Sequence, residues 1–114
     1  MFMPERLIPI LLVLIEEGRF SMAEPLAQRC LEICTRFECN ERWERGDVKS
    51  MLGTVLAGLG RFEEAEPLLL EGYRELNRKP YAFDEAGRAL GWIVDLYEAW
   101  GKSDEAEAWR AKVK

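Results

Sequence analysis

Gly18-Arg19-Phe20-Ser21-Met22-Ala23-Glu24-Pro25-Leu26 is answered by Gly60-Arg61-Phe62-Glu63-Glu64-Ala65-Glu66-Pro67-Leu68, and more loosely by Gly101-Lys102-Ser103-Asp104-Glu105-Ala106-Glu107-Ala108-Trp109. The glycines stand 42 and then 41 residues apart, and a near-constant period of that size marks a stacked helical repeat. Each phrase fits the turn between two antiparallel helices. An apolar-periodic helix stops, glycine supplies a cheap positive-φ residue, and an Ala/Glu-rich helix begins. Ser21 with Glu24 spells a capping box, and Ser103 before Asp104 and Glu105 offers a second N-cap. The small residue recurring at Ala23, Ala65 and Ala106 belongs where two helices approach most closely.

Between these turns the chain divides into six helices in three hairpins, at about residues 4–17 and 21–38, 44–59 and 62–78, then 84–100 and 103–113. No strand pattern competes. The third helix carries an apolar stripe of Val48, Leu52, Val55, Leu56 and Leu59, and the fifth carries Leu90, Ile93, Val94 and Tyr97. Each stripe is one face of a helix and must turn toward its packing partners.

Ala-Glu-Pro-Leu at 23–26 and 65–68, Leu52-Gly53 ahead of the Gly60 turn, and Cys30-Leu31-Glu32-Ile33 after the first phrase resemble tetratricopeptide repeats of the long, kinesin-light-chain-like type. The ordinary repeat of that family is nearer 34 residues. The resemblance covers nearly the whole chain. It implies one all-α domain over 1–114, a right-handed superhelix of three antiparallel hairpins with repeats at about 4–40, 44–79 and 84–114. It also implies a scaffold for protein–protein interaction, since such repeats serve many unrelated complexes. Departures are Ala108 in place of proline, Pro9 inside the first helix, and Ser50, Met51, Gly91 and Trp92 where many relatives carry groove asparagines.

At 114 residues the chain has room for one domain, and 48% hydrophobic with 32% charged residues is ordinary for a helical globule. The net charge is −5, with basic residues interleaved among acids, so no basic stripe is available to neutralise phosphates. Nucleic acid and anionic membrane are excluded as expected partners. Leu7 to Ile15 is apolar except for Pro9, which faintly suggests a signal peptide. Glu16 and Glu17 follow at once, without a small-residue cleavage pattern. A spanning helix also needs about 20 apolar residues. A cytoplasmic protein is expected.

Chemistry is scarce. The absence of histidine removes the commonest general base and metal ligand at neutral pH. Acidic pairs such as Glu16-Glu17 and Glu63-Glu64 sit beside helix ends, where they read as solvated faces. Cys30, Cys34 and Cys39 form neither a CxxC pair nor an even disulfide framework. Cys30 and Cys34, one turn apart, read as compact core residues, the alternative being a soft-metal or redox site. No enzymatic activity, cofactor or metal is expected.

The first helix is apolar all round, which argues either for self-association or for a piece cut from a longer repeat array. Its inner face is expected at Ile10, Leu11 and Leu14, leaving Ile8, Leu12 and Ile15 toward a concave groove. In the fifth helix Arg88, Trp92, Asp95 and Glu98 lie opposite the apolar stripe, and Asp47, Ser50, Met51 and Thr54 occupy the matching places one repeat earlier. The expected ligand is an amphipathic helix or extended peptide, neutral to basic, with an apolar side chain anchored beside Trp92 and Met51. The alternatives are that Trp92 only fills space between hairpins, and that the chain is a homo-oligomerisation module, a homodimer through its apolar first helix.

Overall fold

Gly18, Gly60 and Gly101 each close a helix at positive φ, 74°, 82° and 82°. The computed structural model describes residues 4–36, 44–78 and 83–112, and the side chains of all of these except 4–8, 35, 44, 45 and 83. Cys39 and the side chain of Ile8 therefore lie outside the described residues. The helices are α1 (Pro4–Glu16), α2 (Phe20–Arg36), α3 (Glu44–Gly58), α4 (Phe62–Asn77), α5 (Phe83–Trp100) and α6 (Ser103–Arg110). Among the described residues there is no strand.

The three turns share one hydrogen-bond pattern. The Gly18 amide donates to Ile15 O and the Arg19 amide to Leu14 O, at 3.0 and 2.8 Å. Gly60 and Arg61 repeat this onto Ala57 and Leu56, as do Gly101 and Lys102 onto Glu98 and Tyr97. This is the Schellman closure, in which the left-handed residue must carry no Cβ to be free of strain. The residue after each glycine also opens the next helix, because Ala23, Ala65 and Ala106 donate to the carbonyls of Arg19, Arg61 and Lys102. The expected serine caps are corrected accordingly: α2 starts before Ser21, and the N-cap of α6 is Lys102, with no side-chain cap hydrogen bond. So tight a turn has no residue left over for a separate cap.

Helix pairing follows the small residues. Ala23, Ala65 and Ala106 are buried, and α3 meets α4 across two glycine contacts. A Cβ on Gly53 would sit 2.6 Å from Leu69 Cγ, and one on Gly72 would sit 2.6 Å from Gly46 O. Backbones this close are held by dispersion over a long contact, which any added methyl would prise apart. Each helix packs on its sequence neighbours; in addition α1 contacts α3 and α3 contacts α5, and α4 meets α6 through the edge-to-face rings of Tyr73 and Trp109, 5.6 Å between centres. The odd-numbered helices thus lie side by side.

Ion pairs and rings tie one hairpin to the next. The Arg61 guanidinium donates to Glu64 at 2.8 Å and to Glu24 of the preceding hairpin at 2.6 Å, and the bond from Arg61 holds the Glu64 carboxyl below its usual range. The Tyr97 hydroxyl donates to Glu66 at 2.7 Å, with burial first and this bond second pushing its pKa up. Trp100 stacks on Phe62 at 5.7 Å and carries the Lys102 ammonium 3.8 Å from its ring centre.

The first helix differs from expectation at two residues. Ile15, expected toward the groove, is buried in the core with Leu11, while Ile10, expected inside, is 49% exposed. The Leu11–Ile15 spacing of four residues points one stripe at α2 and α3, and Ile10 falls about 100° away from Leu11.

Candidate functional site

A recess of about 330 Å³ opens where α1, α3 and α5 come together, lined by Leu12, Ile15, Glu16, Phe20, Thr54, Arg88, Trp92 and Asp95. Six of these are residues the sequence placed on a concave face: Leu12, Ile15, Thr54, Arg88, Trp92 and Asp95. They converge because α3 has α1 on one side and α5 on the other. The floor at the α1 end is apolar, from Leu12, Ile15 and Phe20. The opposite wall is the Trp92 indole with the Arg88 guanidinium 5.4 Å from its ring centre.

Beneath that wall lies an ion pair. Arg88 Nη2 donates to Asp47 Oδ1 at 2.5 Å, and Asp47 is 1% exposed. Arg88 Nε is buried without a hydrogen-bond partner. The guanidinium is therefore fixed at one end by a desolvated carboxylate and presents its remaining surface toward the indole. Because Asp47 neutralises Arg88, the charges left at the mouth of the recess are the exposed carboxylates Glu16 and Asp95.

Three expected groove residues do not reach this surface. Met51 and Ser50 are fully buried, and Asp47 lies under Arg88. Ser50 turns toward α4, where its hydroxyl donates to Gly46 O at 3.0 Å and abuts Gly72. Met51 belongs to the central core, so no ligand side chain can be seated beside it. Asp47 and Arg88 each stand thirteen residues before a repeat glycine, and on neighbouring helices of like direction such equivalent positions face one another. The fourth, Ile8, lies on α1 with its side chain outside the described residues.

Phe20 and Glu16 line the recess and were not anticipated. The signal for Phe20 was available in the repeated phrase, since Phe62 matches it. A Cβ at Gly58 would lie 2.6 Å from the Phe20 ring Cγ, so the glycine near the end of α3 makes room for that ring.

Cys30 and Cys34 belong to no metal-ligand cluster among the described residues. Both are buried thiols, and burial pushes Cys30 up to about 11, which disfavours the thiolate that metals and disulfides require. No cluster of metal-ligating side chains occurs among the described residues, and no helix there is long and apolar enough to cross a membrane. Comparison with protein-family models, with curated proteins and with solved structures finds no match for this chain.

Proposed function

We propose that the chain is a non-enzymatic interaction scaffold, a tetratricopeptide-like right-handed superhelix of three hairpins whose concave side, built by α1, α3 and α5, binds a peptide or helix of a partner protein. The observation that carries this reading is the convergence of Leu12, Ile15, Thr54, Arg88, Trp92 and Asp95 from three helices on one recess. Three matching glycine turns and the side-by-side odd helices support the superhelix. An apolar floor beside a half-buried indole suits an aliphatic or aromatic anchor, and interface energy concentrates in such anchors. Glu16 and Asp95 at the mouth favour a basic residue next to that anchor in the bound segment.

A displayed random-peptide library selected on the purified chain tests this. Enriched peptides should pair an apolar residue with lysine or arginine, and Trp92→Ala should weaken their binding about tenfold or more, the loss of roughly 1.4 kcal/mol. Unchanged binding by a folded Trp92→Ala variant refutes the groove reading. A second reading, homo-oligomerisation through the apolar first helix, is favoured by one observation: Ile10 and Val13 are 49% and 51% exposed.

A further inference from the structure

Asp47 is 1% exposed and lies outside the lining of the recess, yet it grips a residue of that lining. Arg88 Nη2 donates to its Oδ1, while the Arg88 side chain stays 30% exposed. The carboxylate is out of a ligand's reach, and the guanidinium is not. A cation in the wall of a binding surface repels a basic ligand unless something offsets it in place. Here the offset comes from beneath, where the carboxylate is desolvated and salt screens its attraction to Arg88 only weakly.

The same contact fixes where the guanidinium stands. Arg88 and Trp92 are one turn apart on α5, and the guanidinium carbon lies 5.4 Å from the indole centre, within cation–π range. Held by Asp47, the head group cancels neither of the exposed carboxylates at the mouth, Glu16 and Asp95. Released from Asp47, it would share the recess with them and offset one of the two. One cation against three carboxylates leaves two negative charges over the recess; with Asp47 neutral, one remains.

We propose that Asp47 sets the charge selectivity of the recess through Arg88. By neutralising that guanidinium from beneath, it leaves Glu16 and Asp95 to select a partner segment in which lysine or arginine adjoins the apolar anchor. This rests on the groove reading and adds to it a positioning residue that the ligand never touches. Asp47 belongs to α3 and Arg88 to α5, so the selectivity depends on the second and third hairpins being stacked in register.

The probes are the most enriched peptide of the selected library, synthesised with lysine as its basic residue, and the same peptide with that lysine acetylated, which removes the charge. Calorimetry on the full chain at low ionic strength, where charges are least screened, gives the preference between them, and circular dichroism certifies folding. The wild type should prefer the lysine form roughly tenfold. Asp47→Asn keeps an oxygen for Arg88, whose side chain reaches solvent, and halves the net charge, so the preference should fall to about threefold. Asp47→Asn with Arg88→Gln restores the net charge and should return it to about tenfold. A loosened Trp92 weakens both peptides alike. Lower affinity at unchanged preference in Asp47→Asn therefore overturns the inference, as does a double variant that stays at the level of the single one. Should Asp47→Asn unfold, the double variant is set against Asp95→Asn, an exposed substitution: a clear gap in preference sustains the assignment, and equal preferences overturn it. A library without binders overturns the groove reading and this inference together; binders without a basic residue overturn this inference alone.

Discussion

Replacing Gly72 by alanine isolates the contact that fixes the second hairpin. The new Cβ would lie 2.6 Å from Gly46 O and 2.9 Å from Ser50 N, both backbone atoms of α3. Neither atom can swing away as a side chain would, so α4 must move off α3 by several tenths of an ångström along a buried seam. Overpacking of this kind costs about 3 kcal/mol, and the better helix propensity of alanine returns about 1 kcal/mol, leaving a net loss of about 2 kcal/mol. The control is Gly87→Ala in α5, where a Cβ meets nothing within 4 Å. There only the propensity acts, and stability should rise by about 0.5–1 kcal/mol. Urea unfolding followed by circular dichroism reads both, with unchanged slope and midpoints displaced in opposite directions. A Gly72→Ala variant as stable as the wild type refutes the reasoning, because it would mean that α3 and α4 are not held at backbone contact.

Three further outcomes follow from the same packing. Ala65→Leu, at a buried position whose carbonyl lies beside Gly53, should lower stability by about 1–3 kcal/mol in the same urea assay. Arg88→Met removes the cation facing the 1%-exposed Asp47 carboxylate and should cost about 3 kcal/mol; Asp47→Asn in that background should recover part of the loss, and full additivity of the two would refute the pairing. Burial pushes the Cys30 thiol up from its ordinary value of 9.0 to about 11. The folded pKa is the higher one, so this group leaves stability untouched below about pH 9 and lowers it as pH climbs toward 11. In Cys30→Ala that alkaline decline should be shallower.

The turns were legible because they rest on local chemistry. A glycine forced to positive φ, followed by an Ala/Glu-rich start, needs no knowledge of the distant chain, and all six helices lie within a few residues of where periodicity put them. The recess was legible for a different reason. Thr54 with Asp95, and Leu12 before them, hold one angular position in three successive repeats, so a stack that brings the odd helices together brings these residues together.

What a single helix cannot reveal is which of two adjoining angular positions faces solvent and which faces the next hairpin. Asp47, Ser50 and Met51 lie within the same polar-looking arc as Thr54, yet one turn of difference in neighbours sends Asp47 under Arg88, Ser50 against Gly72 and Met51 into the core. The misplacement of Ile10 has the same origin in reverse. A helix apolar on every side offers no stripe from which to choose, and Leu11 goes inward because α2 and α3 both lie on its side. The Asp47–Arg88 pair shows what sequence reading must add. Unlike charges at one repeat register, in consecutive repeats, identify the seam between hairpins, because stacking of like-directed helices sets equivalent positions face to face.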